Sequence, residues 1–177
     1  NMFGVKTYAE EKSLFFVGEF SRNKIDGWES KKFTNETSYI IANFDEQLVL
    51  KAVSDNSASG LIKKIQINIK KFPFLNWKWR IENRLQGDFN EKNKSGDDYA
   101  ARIYVVVSGG VMVWNTRALN YVWAKQSVKG ETWPNAYTKN NTMIAIRSFK
   151  DLTTVWKTEK RNVYEDFKRC FGQEVQY

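Results

Sequence analysis

The chain has 177 residues, of which 42% are hydrophobic, 15% aromatic and 27% charged, a balance that suits one folded core and excludes a disordered or membrane-embedded chain. Twenty-eight basic against 20 acidic side chains give a formal charge of +8, which favours anionic partners; the two signs are interspersed, so sequence-specific nucleic-acid recognition is not expected. With no histidine, Ser–His and Cys–His nucleophilic systems and His-bearing zinc sites are excluded, and the single cysteine, Cys170, excludes an internal disulfide.

In chain order, Phe15 to Phe20 predicts a first strand, and Lys24 to Trp28 a turn into a second run ending at Phe33. Tyr39 to Asn43 is a short apolar run, and Leu48 to Val53 predicts a stronger strand rich in aliphatic side chains. The polar stretch Ser54 to Gly60 then reads as a turn. Ile65, Ile67 and Ile69 alternate with Gln66, Asn68 and Lys70, the period of a strand with one wet face, closed by Pro73. Leu75, Trp77, Trp79 and Ile81 share one face of the next strand, with Lys78 and Arg80 on the other.

Arg84 to Asp98 is a polar loop. Ala101 to Val107 is the clearest core strand, with Arg102 and Tyr104 on one face, and Gly109-Gly110 predicts a hairpin into a strand over Val111 to Trp114. Further strands are expected over Leu119 to Trp123 and Thr142 to Arg147, joined by a loop rich in Gly, Trp and Pro between Gly130 and Pro134. Only the end has helical spacing: Val163, Phe167 and Cys170 recur at i, i+4 and i+7, and Gly172 is a natural stop. The pattern predicts a mainly β, antiparallel sandwich of jelly-roll type with a short C-terminal helix, built as a single domain over residues 1–177. No apolar run reaches the length of a spanning helix, about 18 residues.

Two groups of side chains could carry function. Trp77, Trp79, Tyr121, Trp123 and Trp133 could stack on sugar or base faces; for Trp77 and Trp79 the alternative is filling the space between two sheets. Lys94, Asp97, Asp98 and Arg102, with Arg80 and Arg147, form either structural ion pairs or an anion-binding cleft, because an arginine on an apolar strand needs a carboxylate. Asp97-Asp98 lacks the calcium-loop pattern, and Gly109-Gly110 lacks the lysine and helix of a phosphate cradle, so neither a metal nor a cofactor is expected.

Val49 to Gly60, Leu75-Asn-Trp-Lys-Trp-Arg80, Lys94 to Val105, Ala118-Leu-Asn-Tyr-Val-Trp123, Arg147-Ser148 and Glu159 to Phe167 together resemble a bacterial family designated domain of unknown function 3047. The resemblance implies an exported or periplasmic protein with a jelly-roll domain similar to carbohydrate-binding modules. It brings Asn120 and Arg161 into the set of recurrent polar positions alongside Trp77, Trp79, Arg80, Lys94, Asp97, Asp98, Arg102, Tyr121, Trp123 and Arg147. Members continue past the helix with a further strand, so a closing C-terminal strand is expected to be missing from a chain ending at Tyr177, and Asn1 is expected to lie inside a longer protein. The expected function is non-catalytic binding of a glycan or another polyhydroxylated or anionic ligand. The alternatives are a glycoside hydrolase or polysaccharide lyase using carboxylates with Lys or Tyr, and an assembly protein that joins a protein partner through an open sheet edge.

Overall fold

The computed structural model describes residues 14–87 and 89–172. They fall into two compact units, one ending at Ile67 and the other starting at Asn68. The protein is mainly β with one short C-terminal helix.

The first unit holds β1 (Glu29–Thr34), β2 (Ser38–Phe44), β3 (Gln47–Val53) and β4 (Ala58–Ile62). β2 and β3 form an antiparallel hairpin in which Phe44 faces Gln47, leaving only Asp45 and Glu46 to turn the chain. Both turn residues have positive φ (47° and 63°), the left-handed turn that matches strand twist and here is made without glycine. β1 pairs with β4 antiparallel, with an irregularity between Lys32 and Thr34. Ser59 ties the two pairs together, accepting the Thr37 backbone N–H on its hydroxyl (3.0 Å) and the Tyr39 hydroxyl on its carbonyl (2.7 Å). The strand expected over Phe15 to Phe20 does not form. Phe20–Arg22 is a single 3-10 turn closed by Asn23 in the left-handed region (φ 58°), and the only pairing beside it among the described residues is the isolated bridge between Glu19 and Lys24.

The second unit holds β5 (Phe74–Trp79), β6 (Arg102–Val107), β7 (Arg117–Trp123), β8 (Thr132–Pro134), β9 (Asn141–Arg147), β10 (Lys157–Asn162) and α1 (Val163–Phe171). β6, β7, β9 and β8 make one sheet in that order, and β5 pairs with β10 in a second. The pairing of β7 with β9 is parallel, the exception among otherwise antiparallel pairs of the described residues; the connection between them contains β8, which folds back antiparallel on β9. α1 follows β10 directly, with the Asn162 side chain accepting the Glu165 N–H at its start (3.0 Å) and Gly172 (φ 65°) closing its end. Its apolar stripe buries Val163 and Phe167. Among the described residues no helix is long and apolar enough to cross a membrane.

Three further expectations are corrected here. Ile65 to Ile69 alternates like a strand but joins no sheet: the Asn68 side chain accepts the N–H groups of Lys70 and Lys71 (2.9 and 3.1 Å), bending the chain into a turn before Pro73. Gly109-Gly110 does not lead into a strand, because residues 113–115 form a 3-10 turn inside a longer connection between β6 and β7. A side chain at Gly109 would place its Cβ 2.2 Å from the Met112 carbonyl oxygen, so this glycine serves a close backbone approach. β4, β8 and β10, by contrast, form where no strand was expected, β4 over Ala58–Gly60 of the stretch read as a turn.

Candidate functional site

β7 lies inside its sheet and is buried along nearly its whole length, so its alternation sorts side chains onto two surfaces. Leu119, Tyr121 and Trp123 face one way and Ala118, Asn120 and Val122 the other. On the first surface Tyr121 stacks on Trp77 of β5 (5.4 Å between centroids, 28° between planes), and Trp123 meets Trp79 (5.7 Å). Trp77 and Trp79 touch edge to face at 5.5 Å. These four aromatics fill the space between the two sheets: Tyr121 and Trp123 have relative exposures of 0% and 2%, which leaves no ring face for a ligand to stack on.

Charged groups pin the same layer at two points. Glu159 on β10 accepts on one carboxylate oxygen, Oε1, both the Trp79 indole N–H (3.0 Å) and the Arg147 Nε–H (2.6 Å). Arg147 also donates to Asp151 (3.1 Å), and its bond to Glu159 is the main reason its guanidinium holds its proton more firmly than usual. At the second point Asp166 of α1 accepts the Tyr121 hydroxyl (2.9 Å) and both Nε (2.9 Å) and an Nη (2.5 Å) of Arg161. Burial, reinforced by the Asp166 carboxylate, pushes the Tyr121 phenol well above its ordinary range. Arg147, Tyr121 and Arg161 therefore act here as inter-layer ties. Arg80 stands apart from both, gripping Glu82 with two bonds of 2.8 and 2.9 Å while its guanidinium lies 5.9 Å from the Trp156 ring centre.

The opposite surface of the four-stranded sheet gathers the remaining candidates. Across β6, β7 and β9 the register aligns Arg102 with Val122 and Ala145, and Tyr104 with Asn120 and Met143. Trp133 on β8 lies opposite Met143 and is 7% exposed, packed with Tyr99 and Val122 as core. Arg102 donates to Asp97 Oδ1 (2.9 Å) and to the Tyr104 hydroxyl, and lies 4.5 Å from the Tyr99 ring centre. Burial pulls the Arg102 pKa down, but Tyr104 and Asp97 outweigh it, so the cation is secured. Asn135 donates to the other Asp97 oxygen (3.4 Å), leaving Asp97 held from both sides. The loop that delivers Asp97 is fixed by Gly96, where a Cβ would fall 2.2 Å from the Asn90 carbonyl oxygen. Asp98 is exposed, as is Lys94, whose ammonium lies 5.4 Å from the Tyr137 ring centre while its carbonyl accepts the Tyr137 hydroxyl (3.2 Å).

Asn120 stands at the middle of this surface. Its amide N–H donates to the Asn141 side chain, and its own carbonyl oxygen is buried with no hydrogen-bond partner among the described residues. Tyr104, its cross-strand neighbour on β6, is 50% exposed, and Tyr137, which donates its hydroxyl to the Lys94 carbonyl, is 65% exposed. The candidate site is thus a guanidinium, three amides, an ion-paired carboxylate and two open phenol rings. Such a set can exchange hydrogen bonds with hydroxyl groups and pack against C–H faces. Among the described residues no three His, Cys, Asp or Glu side chains come together in a way that could hold a metal ion.

Tyr104, Asn135, Tyr137 and Asn141 were absent from the sequence-derived set. Tyr104 was within reach of it, two residues beyond Arg102 on the same strand face; the others come from loops and a strand end that carry no periodic signal. Glu91 was missed altogether. It is 1% exposed, and its carboxylate accepts the backbone N–H groups of Lys125 (2.7 Å), Gln126 (3.2 Å) and Ser127 (2.5 Å), pinning the loop after β7. A shallow hollow of about 260 Å³ adjoins it, edged by the Lys92–Glu131 ion pair.

No curated protein and no solved structure matches this chain. A family model matches residues 26–177, the span that includes both the aromatic inter-sheet layer and the polar surface centred on Asn120. The chain belongs to the family described as protein of unknown function (DUF3047).

Proposed function

We propose that this protein is a non-catalytic binding module of the bacterial envelope, exported or periplasmic, that takes a carbohydrate or another polyhydroxylated ligand on the outer face of the β6–β7–β9–β8 sheet. In this reading the sandwich is of jelly-roll type, as in carbohydrate-binding modules. The observation that carries the proposal is the buried, unsatisfied Asn120 carbonyl in cross-strand register with the half-exposed Tyr104. A buried acceptor is costly without a donor, and a sugar hydroxyl supplies one while its ring C–H face packs on a phenol. Arg102 is already committed to Asp97 and Tyr104, so it shapes the face rather than supplying a mobile charge. Lys94 and Asp98 are exposed at the rim, where they would select among neutral and acidic glycans.

A second reading is favoured by one observation. β6 is the end strand of its sheet, and its outward side chains Tyr104 and Val106 are 50% and 57% exposed, so a protein partner could add a strand there. Titration calorimetry against neutral and acidic polysaccharides separates the two. The glycan reading expects saturable binding that weakens roughly two- to tenfold in Tyr104→Ala and Tyr137→Ala with the circular dichroism unchanged. No heat from any glycan, or heat indifferent to both substitutions, would overturn it.

A further inference from the structure

A second site is a cavity that shares no residue with the proposed glycan face. Ile81, Ala100, Phe149 and Trp123, with Arg84 and Lys125, enclose a cavity of about 200 Å³. Trp123 is 2% exposed, and its indole N–H is buried with no hydrogen-bond partner among the described residues. Two cations edge the same cavity. Arg84 is held by one bond to the Asp151 carbonyl (3.0 Å), and Lys125 by one to the Gln86 carbonyl (3.4 Å) while its ammonium lies 5.2 Å from the Phe89 ring centre. Each of these contacts uses one donor of the five on a guanidinium or the three on an ammonium.

We infer that this cavity binds a small aromatic carboxylate, its ring against Ile81, Ala100 and Phe149 and its carboxylate accepting from the Trp123 indole N–H and the Lys125 ammonium. Three independent features converge on that class. The size is right: an apolar cavity of about 150 Å³ accommodates benzene, so the space here takes a ring and a carboxylate but not a disaccharide. The unmatched donor asks for an acceptor, and the flanking cations ask for a negative one. A neutral aromatic alcohol would satisfy the indole N–H but leave the cations unused. The site is independent of the glycan reading, because no residue of the cavity belongs to the polar face around Asn120.

The test is a ¹H–¹⁵N NMR titration of the whole chain with phenylacetate, watching the indole N–H resonances of its seven tryptophans. The Trp123 resonance is identified as the one missing from Trp123→Phe. A ligand of about ten non-hydrogen atoms is expected to bind at about millimolar concentration or tighter, moving the Trp123 resonance saturably. Benzyl alcohol is expected to bind at least about tenfold more weakly, and Lys125→Gln, at a half-exposed side chain, to weaken phenylacetate by about the same factor. Any one of three results overturns the assignment: no saturable movement of the Trp123 resonance, equal binding of acid and alcohol, or Lys125→Gln binding phenylacetate as the unmodified protein does.

Discussion

Replacing Glu159 by glutamine and by alanine separates the two contributions it makes to the inter-sheet layer. Both of its hydrogen bonds arrive on a single oxygen, from Trp79 at 3.0 Å and Arg147 at 2.6 Å. A glutamine carbonyl can occupy that position and accept both, so Glu159→Gln removes the negative charge and keeps the bonds. Arg147 retains Asp151 at 3.1 Å as a counter-charge, which limits the loss to about 1–2 kcal/mol. Alanine removes the acceptor as well. The indole N–H of Trp79, a residue 7% exposed, is then orphaned at about 1–3 kcal/mol, and an Arg147 side chain only 16% exposed loses its closer carboxylate. The sum for Glu159→Ala is about 3–5 kcal/mol, the range found when one partner of a buried pair is deleted. Urea unfolding followed by near-ultraviolet circular dichroism, which reports the Trp77–Trp79–Tyr121–Trp123 packing, measures both variants. With slopes of about 1–3 kcal/mol per molar urea, the alanine midpoint falls by roughly 1–5 M, clearly below that of glutamine. Equal midpoints for the two variants, or a loss under about 1 kcal/mol for alanine, would refute the claim that the shared oxygen pins the sheets.

Two further outcomes concern pH. Burial raises the phenol pKa of both Tyr99 and Tyr121, so their neutral forms stabilise the fold fully below the ordinary tyrosine value of 10.0, and that contribution is drawn down as pH rises above it. Tyrosinate absorbance is expected to show these two tyrosines ionising only as the fold opens; complete, reversible ionisation near pH 10 with unchanged circular dichroism would contradict this. Asp151 titrates below its usual 3.8: burial opposes ionisation, but the Ser148 backbone N–H and the Arg147 guanidinium outweigh it. A depressed carboxyl stabilises above the unfolded pKa and loses that contribution as pH falls through the folded one. The stability gap between the unmodified protein and Asp151→Asn is therefore expected to be full at pH 7 and to close below 3.8 in thermal melts; a gap that does not change with pH would exclude the carboxylate as its source.

The legible part of the fold was the part whose inward face is apolar. Leu75, Trp77 and Trp79, the run from Arg102 to Val107, and the stripe of Val163 and Phe167 each bury oily groups at the period of their element, and β5, β6 and α1 formed where that period stands. β10 was illegible for the converse reason. Its inward positions are Lys157, Glu159 and Arg161, opposite Trp79, Trp77 and Leu75, and a charged residue belongs inside only when its counter-charge does. Ile65 to Ile69 shows the opposite failure: alternation proposes a strand, but a strand exists only where another strand offers it a ladder.

The amino-acid pattern by itself determined that the chain is mainly β and where the helix begins and ends. Tertiary structure alone decided which of those residues meet. One residue of offset along β7 sends Tyr121 into the space between the sheets and Asn120 onto the outer face, because neighbouring side chains on a strand point to opposite sides. The partners that give each its meaning, Asp166 for Tyr121 and Asn141 for Asn120, lie 45 and 21 residues away.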